Sequence, residues 1–229
     1  MTDSSGLMSK LYVISEWIMK FAFTNLFWIL FNLPVAFLFL NMLFVERLED
    51  LFLFAIPLAI LMPVLFFPAT TAMFAVARGW IMKDESNGQL FRSYWRFYRE
   101  NYKRSVVNGL FLTAVWLVWA VDLYYFSTNN KPLMILFVVL GVLLAVFTIN
   151  LFSVTVHYHM KWYAALKNTF LVTIGSPMLF ITVTLGSGVI LYFSFAVFTF
   201  LLPFVTGSLI AYLAFSAFYR KFLTHAKRE

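Results

Sequence analysis

The chain has 229 residues, of which 62% are hydrophobic and only 12% charged. A soluble domain is about 45–50% apolar and about 25% charged, so the composition excludes an ordinary water-facing globule. The absence of Cys excludes disulfides and thiolate metal sites. A formal charge of +7 would suit a nucleic-acid partner, but membrane proteins also gather Lys and Arg on the face that is not translocated.

Residues 1–20 lack the pattern of a cleaved signal. Lys10 and Lys20 bracket a short apolar stretch containing Glu16, with no small-residue cleavage site after it. This segment is expected to lie on the inner surface as the start of the first helix. Crossing a bilayer takes roughly 20 apolar residues, because about 30 Å of hydrocarbon is climbed at about 1.5 Å per residue. Residues 21–45, 51–77, 105–126, 133–156 and 171–219 meet that requirement. The last stretch would run to about 74 Å as one helix, so it is expected to fold back as two, with a turn within 192–203 near Pro203. The expected fold is all-α: a polytopic transmembrane helical bundle of about six spans, one integral membrane domain over residues 1–229.

The charges orient the bundle. With both termini cytoplasmic, the inner segments hold Lys10, Lys20, Arg78, Lys83, Arg92, Arg96, Arg99, Lys103, Arg104, Lys161, Lys167, Arg220, Lys221, Lys227 and Arg228, which is 15 of the 17 basic residues. Only Arg47 and Lys131 fall outside, with Glu46, Glu49 and Asp50 beside Arg47. Basic loops resist translocation, so topology accounts for the charge and no nucleic-acid partner is expected. Residues 105–126 contain 11 Leu, Phe and Val residues, each favouring insertion by about 0.3–0.6 kcal/mol. Asp122 sits near the outer end of that span, where a charge is less costly.

Pro57, Pro63 and Pro68 punctuate the second span. Each removes an amide donor, and irregular backbone inside a bilayer is tolerated only where protein or water satisfies the freed carbonyls. The second span is therefore expected to be kinked and central, with Pro63, Pro68 and Thr70 as the candidate kink. Pro34 is expected to kink the first span in the same way.

Between the second and third spans, about residues 87–104 read as an amphipathic cytoplasmic helix. Phe91, Tyr94, Trp95, Tyr98 and Tyr102 share one face, and Arg92, Arg96, Arg99 and Lys103 another. Asp84, Glu85, Ser86 and Asn87 supply capping groups and negative charge for its start. Such a helix seats aromatics among headgroups and cations on anionic lipid, or offers a docking surface to another protein. The candidate contact residues are Phe91, Arg92, Trp95, Arg96, Tyr98, Arg99 and Lys103.

His157 and His159 are poor metal ligands as a pair, since helical neighbours two apart point about 200° away from each other. Asn25, Asn32, Asn108, Asn150, Thr113, Thr148, Ser153, Thr155, Thr182 and Thr184 are expected to make interhelical hydrogen bonds, and Gly186, Ser187 and Gly188 to permit close packing. No phosphate-cradling glycine loop, His-Glu-His zinc arrangement or Gly-Ser-Gly nucleophile turn is present. No catalytic residue, cofactor or metal is expected. A pore lined by neutral groups stays open as an alternative.

Several elements together resemble one family. They are Leu11-Tyr12, Glu16 to Lys20 leading into Asn25 to Trp28, then Phe67-Pro68-Ala69-Thr70-Thr71-Ala72 with Phe74 and Arg78. Phe91 to Tyr98 and Asn108-Gly109-Leu110 follow. The sequence is similar over residues 11–112 to the YesL-like membrane proteins of Gram-positive bacteria, a family defined by a domain of unknown function. Members tend to be encoded beside carbohydrate-uptake systems. The resemblance implies a bacterial plasma-membrane protein that assists a carbohydrate (oligosaccharide) ABC importer by contacting its transmembrane subunits, and it supplies no catalytic residues. A stand-alone channel or small-solute facilitator is the alternative.

Overall fold

The computed structural model describes residues 3–46, 48–83 and 89–226. Among them the elements are helical: α1 (Asp3–Phe31), α2 (Leu33–Met42), α3 (Leu48–Leu61), α4 (Phe67–Met82), α5 (Leu90–Asn129), α6 (Lys131–His157), α7 (Trp162–Ile174), α8 (Pro177–Tyr192) and α9 (Gly207–Ala226). Three π-helical turns, Met62–Phe66, Phe193–Val197 and Leu202–Thr206, join or extend them. Six helices are long and apolar enough to cross a membrane: Met8–Phe31, Asp50–Met82, Leu90–Asn129, Lys131–His157, Pro177–Val197 and Leu202–Thr224.

As expected, the first helix starts well before residue 21, α1 running unbroken from Asp3 to Phe31. Glu16 and Lys20 do not interrupt that helix because they pair one turn apart at 2.6 Å, and the Lys20 ammonium lies 5.2 Å from the centre of the Trp17 ring. The break comes instead at Asn32, with Pro34 in the first turn of α2, where a missing amide costs nothing.

The second span divides into two unlike halves. Pro57 lies within α3, Pro63 within the π turn and Pro68 in the first turn of α4. Twelve of the 16 residues of α4 are buried, so this half is the centre of the bundle. In contrast, Phe52, Leu53, Ile56 and Ile60 of α3 are exposed, so the expected central placement holds for α4 and not for α3.

The segment expected as a separate amphipathic helix at about 87–104 is continuous with the third span: α5 runs unbroken for 40 residues. The capping residues Asp84 to Asn87 lie outside the described residues, as do Arg47, Lys227 and Arg228. The fifth and sixth spans turn at 198–200, inside the expected window.

Polar side chains tie the helices together. Asn25 donates to the carbonyls of Leu202 (3.2 Å) and Pro203 (2.7 Å) and accepts from the Ser208 amide (3.1 Å). Asn108 donates to Thr155 (3.2 Å), Asn150 to Thr173 (3.0 Å) and Trp116 to Thr148 (3.2 Å). Asn32, Thr182 and Thr184 instead bond to carbonyls four residues back in the chain. An aromatic cluster of Trp17, Phe21, Trp80 and Tyr212, with edge-on ring centres 5.4–5.9 Å apart, joins α1, α4 and α9. Such pairs are worth about 0.5–1.5 kcal/mol each beyond their burial.

Close approach depends most on Gly109. A Cβ there would lie 2.8 Å from Phe67 Cγ and 2.9 Å from the Pro63 Cα, and the Pro63 backbone has no room to retreat. At Gly188 the same atom would meet nothing within 4 Å. Gly109→Ala should therefore destabilise the protein by about 1–3 kcal/mol through overpacking, despite the better helix propensity of Ala. Gly188→Ala should leave stability unchanged or slightly raised. Thermal unfolding in detergent, followed by Trp fluorescence, checks both; an unchanged midpoint for Gly109→Ala would show that α5 does not sit against Pro63 so closely.

Candidate functional site

The N-terminal part of α5 sorts its side chains by helical spacing into three directions. Ser93, Tyr94, Phe97 and Asn101, at i, i+1, i+4 and i+8, are buried and form the face turned to the bundle. Tyr94 is fully buried, and its hydroxyl donates to the Ala69 carbonyl at 2.7 Å. The sequence grouped Tyr94 with lipid-facing aromatics; it is a core residue instead.

The other aromatics of the expected face meet α1. Phe91 packs edge-on to Phe27 with ring centres 5.2 Å apart. Phe31 lies 5.6 Å from Trp95 and 4.8 Å from Tyr98, and Trp95 stacks on Tyr98 at 5.9 Å. Phe91 and Trp95 keep 53% and 43% of their surface exposed, so each packs one flank on α1 and leaves the other open. Much of this aromatic face is thus already occupied within the chain.

The cations point elsewhere. Arg92, Arg96, Arg99 and Lys103 are all exposed. Arg96 approaches Glu100 at 4.0 Å and lies 4.9 Å from the centre of the Phe97 ring. Gln89, Arg92, Trp95, Arg96, Arg99 and Glu100 border an open surface depression. Arg104 turns inward: its guanidinium donates to Asn101 Oδ1 (2.7 Å) and to the Tyr158 carbonyl (3.1 Å). That clamp fixes the helix against the connector after α6. Burial also pushes the Tyr158 phenol above its ordinary range.

The kink residues form a second constellation. Trp28 Nε1 donates to Thr70 Oγ1 at 2.9 Å, and Thr70 in turn donates to the Phe66 carbonyl at 2.7 Å. Ser105 donates to Thr71 Oγ1 at 2.8 Å, and Thr71 to the Phe67 carbonyl at 2.8 Å. Thr70 and Thr71 thus bond back to carbonyls four residues earlier, at the start of α4 just past the π turn. Pro63 and Pro68 are buried, and Thr70 lies between α4 and α1.

His157 ends α6 inside an aromatic cage, with ring centres 4.6 Å from Tyr158 and Phe222 and 5.4 Å from Phe218. Among the described residues no three His, Asp or Glu side chains come together to hold a metal ion.

The fold and its six long apolar helices define a multi-pass helical membrane protein. A family model described as "Protein of unknown function, DUF624" matches residues 21–123. The chain is 27% identical to "Uncharacterized protein YteU" of Bacillus subtilis (strain 168), over 92% of this chain and 84% of that protein. It is 26% identical to "Uncharacterized protein YesL" of the same organism, over 93% of this chain and 90% of that protein. The chain is thus similar to the DUF624 model over residues 21–123 and to YteU and YesL over most of its length, in agreement with the resemblance read from its residues. No solved structure matches it.

The buried phenol gives a direct test of the packing of α5. Tyr94→Phe removes only the bond to Ala69 and should cost about 1 kcal/mol, whereas Tyr94→Ala should cost about 3–5 kcal/mol by opening a cavity. Unfolding midpoints of the two variants in detergent measure the difference. Near-equal wild-type midpoints would place Tyr94 at the lipid surface after all.

Proposed function

We propose that the chain is a non-enzymatic accessory protein of the bacterial plasma membrane that associates with the transmembrane subunits of a carbohydrate (oligosaccharide) ABC importer. The observation that supports this reading is the outward row Arg92, Arg96, Arg99 and Lys103 on a helix whose aromatic side is largely taken up by α1. A cationic face held in register by Tyr94 and Arg104 suits an acidic surface on a neighbouring membrane protein, where charge complementarity governs encounter and specificity. The link to sugar import rests on the family resemblance.

Co-expression with the membrane subunits of a sugar importer from the same genome, followed by purification in mild detergent, tests the proposal. The subunits should copurify with the native chain, and capture by an Arg92→Glu, Arg99→Glu double variant of unchanged unfolding midpoint should fall by at least an order of magnitude. Consistent absence of the subunits from the native preparation would sink the association, and equal capture by the double variant would move it to another face.

One observation favours a facilitator instead. Asn108 Oδ1, Thr113 Oγ1, Asn150 Oδ1 and Ser153 Oγ, all on α5 and α6, are buried without a protein hydrogen-bond partner, and an unmet polar group in a membrane interior calls for a polar visitor. Sugar flux into proteoliposomes separates the two readings. The accessory protein alone should transport nothing, while flux abolished by Asn108→Leu would replace the accessory reading.

A further inference from the structure

We propose that a cavity at the centre of the bundle holds one acyl tail of a bilayer phospholipid. The cavity measures about 520 Å³, within the roughly 300–1,000 Å³ of ligand sites. Its walls come from α1, α4, α5, α6, α8 and α9 together with the π turns at Met62–Phe66 and Leu202–Thr206. The Phe67 to Thr70 element, read in the sequence as a kink, forms part of the lining.

The polar groups of the wall decide the occupant. Trp28 is bonded to Thr70 and Thr70 to the Phe66 carbonyl. Trp116 is bonded to Thr148 and Thr148 to the Leu144 carbonyl. Asn25 spends its amide on Leu202, Pro203 and Ser208, and Thr206 is bonded to the Leu201 carbonyl and to Ser194. With these groups paired among themselves, the wall presents hydrocarbon and aromatic carbon to whatever enters. An oligosaccharide would leave its hydroxyls without partners there, at about 1–3 kcal/mol each. Water fares no better, because apolar cavities stay dry unless several polar partners converge. An alkyl chain has nothing to satisfy and gains contact along its length.

Access favours the bilayer as the source. Leu191 borders the cavity and is 40% exposed. Its neighbours Leu185, Val189, Tyr192 and Phe195 are exposed apolar residues on the outer surface of the same span. The mouth therefore opens where lipid tails are the solvent. The site is independent of the importer proposal, since the basic row contributes nothing to this lining.

Proteoliposomes made with a phospholipid carrying a diazirine near the end of one acyl chain provide the test. After photolysis, peptide mass spectrometry locates the adducts. Phe74 and Phe152 line the cavity yet are only 2% and 5% exposed, so lipid surrounding the bundle does not reach them. Adducts are expected on both, and on the outward Ile135 and Val139. Ala145→Phe, which fills the cavity from α6, should cut labelling of Phe74 and Phe152 by roughly an order of magnitude while Ile135 and Val139 are labelled as before. Ile210→Phe, from the opposite wall, should do the same, so that misfolding of one variant does not decide the result. Labelling confined to outward residues in the native protein, or equal labelling of Phe152 in both filled variants, would overturn the proposal.

Discussion

Hydrocarbon offers no hydrogen bonds, so a helix carrying prolines across it must find partners for its backbone within the protein. In this chain that requirement falls on Met62 to Ala72. Pro63 and Pro68 bring no amide, and the backbone relaxes into a π turn between α3 and α4. Hydroxyls gather on the carbonyls of the first turns of α4, just past this irregular backbone. Thr70 and Thr71 donate to the carbonyls of Phe66 and Phe67, and Tyr94 adds a donor at Ala69. The threonines are themselves held by Trp28 and Ser105. These bonds give Thr70, Thr71, Tyr94 and Ser105 partners inside an otherwise apolar core.

Much of this arrangement was legible in the residues, because the constraint acts on composition first. Span number, the fold-back near residue 200 and the kink region follow from apolar length and proline position alone. What escaped was cover. Helical spacing places Phe91, Tyr94, Trp95 and Tyr98 on one side of α5, but spacing is silent about whether lipid or another helix lies against that side. Phe27 and Phe31 of α1 do so. A signal existed in the pairing of a buried-type phenol with the helix-rupturing Pro68 element, though only three-dimensional proximity connects residues 25 positions apart. The continuity of the first helix has an electrostatic reason. Glu16 and Lys20 look like charges that end a span, whereas paired one turn apart they present a smaller dipole and leave the helix intact.

The asparagines show the same limit. Asn25 on α1 and Asn32 just past its end look alike, seven residues apart, yet Asn25 crosses to the Leu202–Thr206 turn while Asn32 folds back on the Trp28 carbonyl. The difference lies in what the neighbour presents. At the π turn Leu202–Thr206 the carbonyls of Leu202 and Pro203 accept from Asn25, and the Ser208 amide turns to Asn25 Oδ1. Irregular backbone in one span thus meets a polar side chain from another. Of the three π turns, those at Met62–Phe66 and Leu202–Thr206 are reached from α1, by Trp28 through Thr70 and by Asn25 directly.

Helix α5 joins these themes. At 40 residues it extends to about 60 Å without a break, carrying the exposed cations at one end and Trp116, in the cavity wall, further along. Its position is fixed at three levels: Tyr94 on Ala69, Arg104 on the Tyr158 carbonyl, and Gly109 pressed against Phe67 and Pro63. A continuous helix pinned at several points moves as a unit, so force applied to the basic row is transmitted to the packing around the kink instead of being absorbed at a hinge. A surface helix hinged where it meets the third span would have isolated the two regions. Continuity of α5 makes any contact at its charged end a contact with the membrane-embedded core, and that coupling needs no catalytic group.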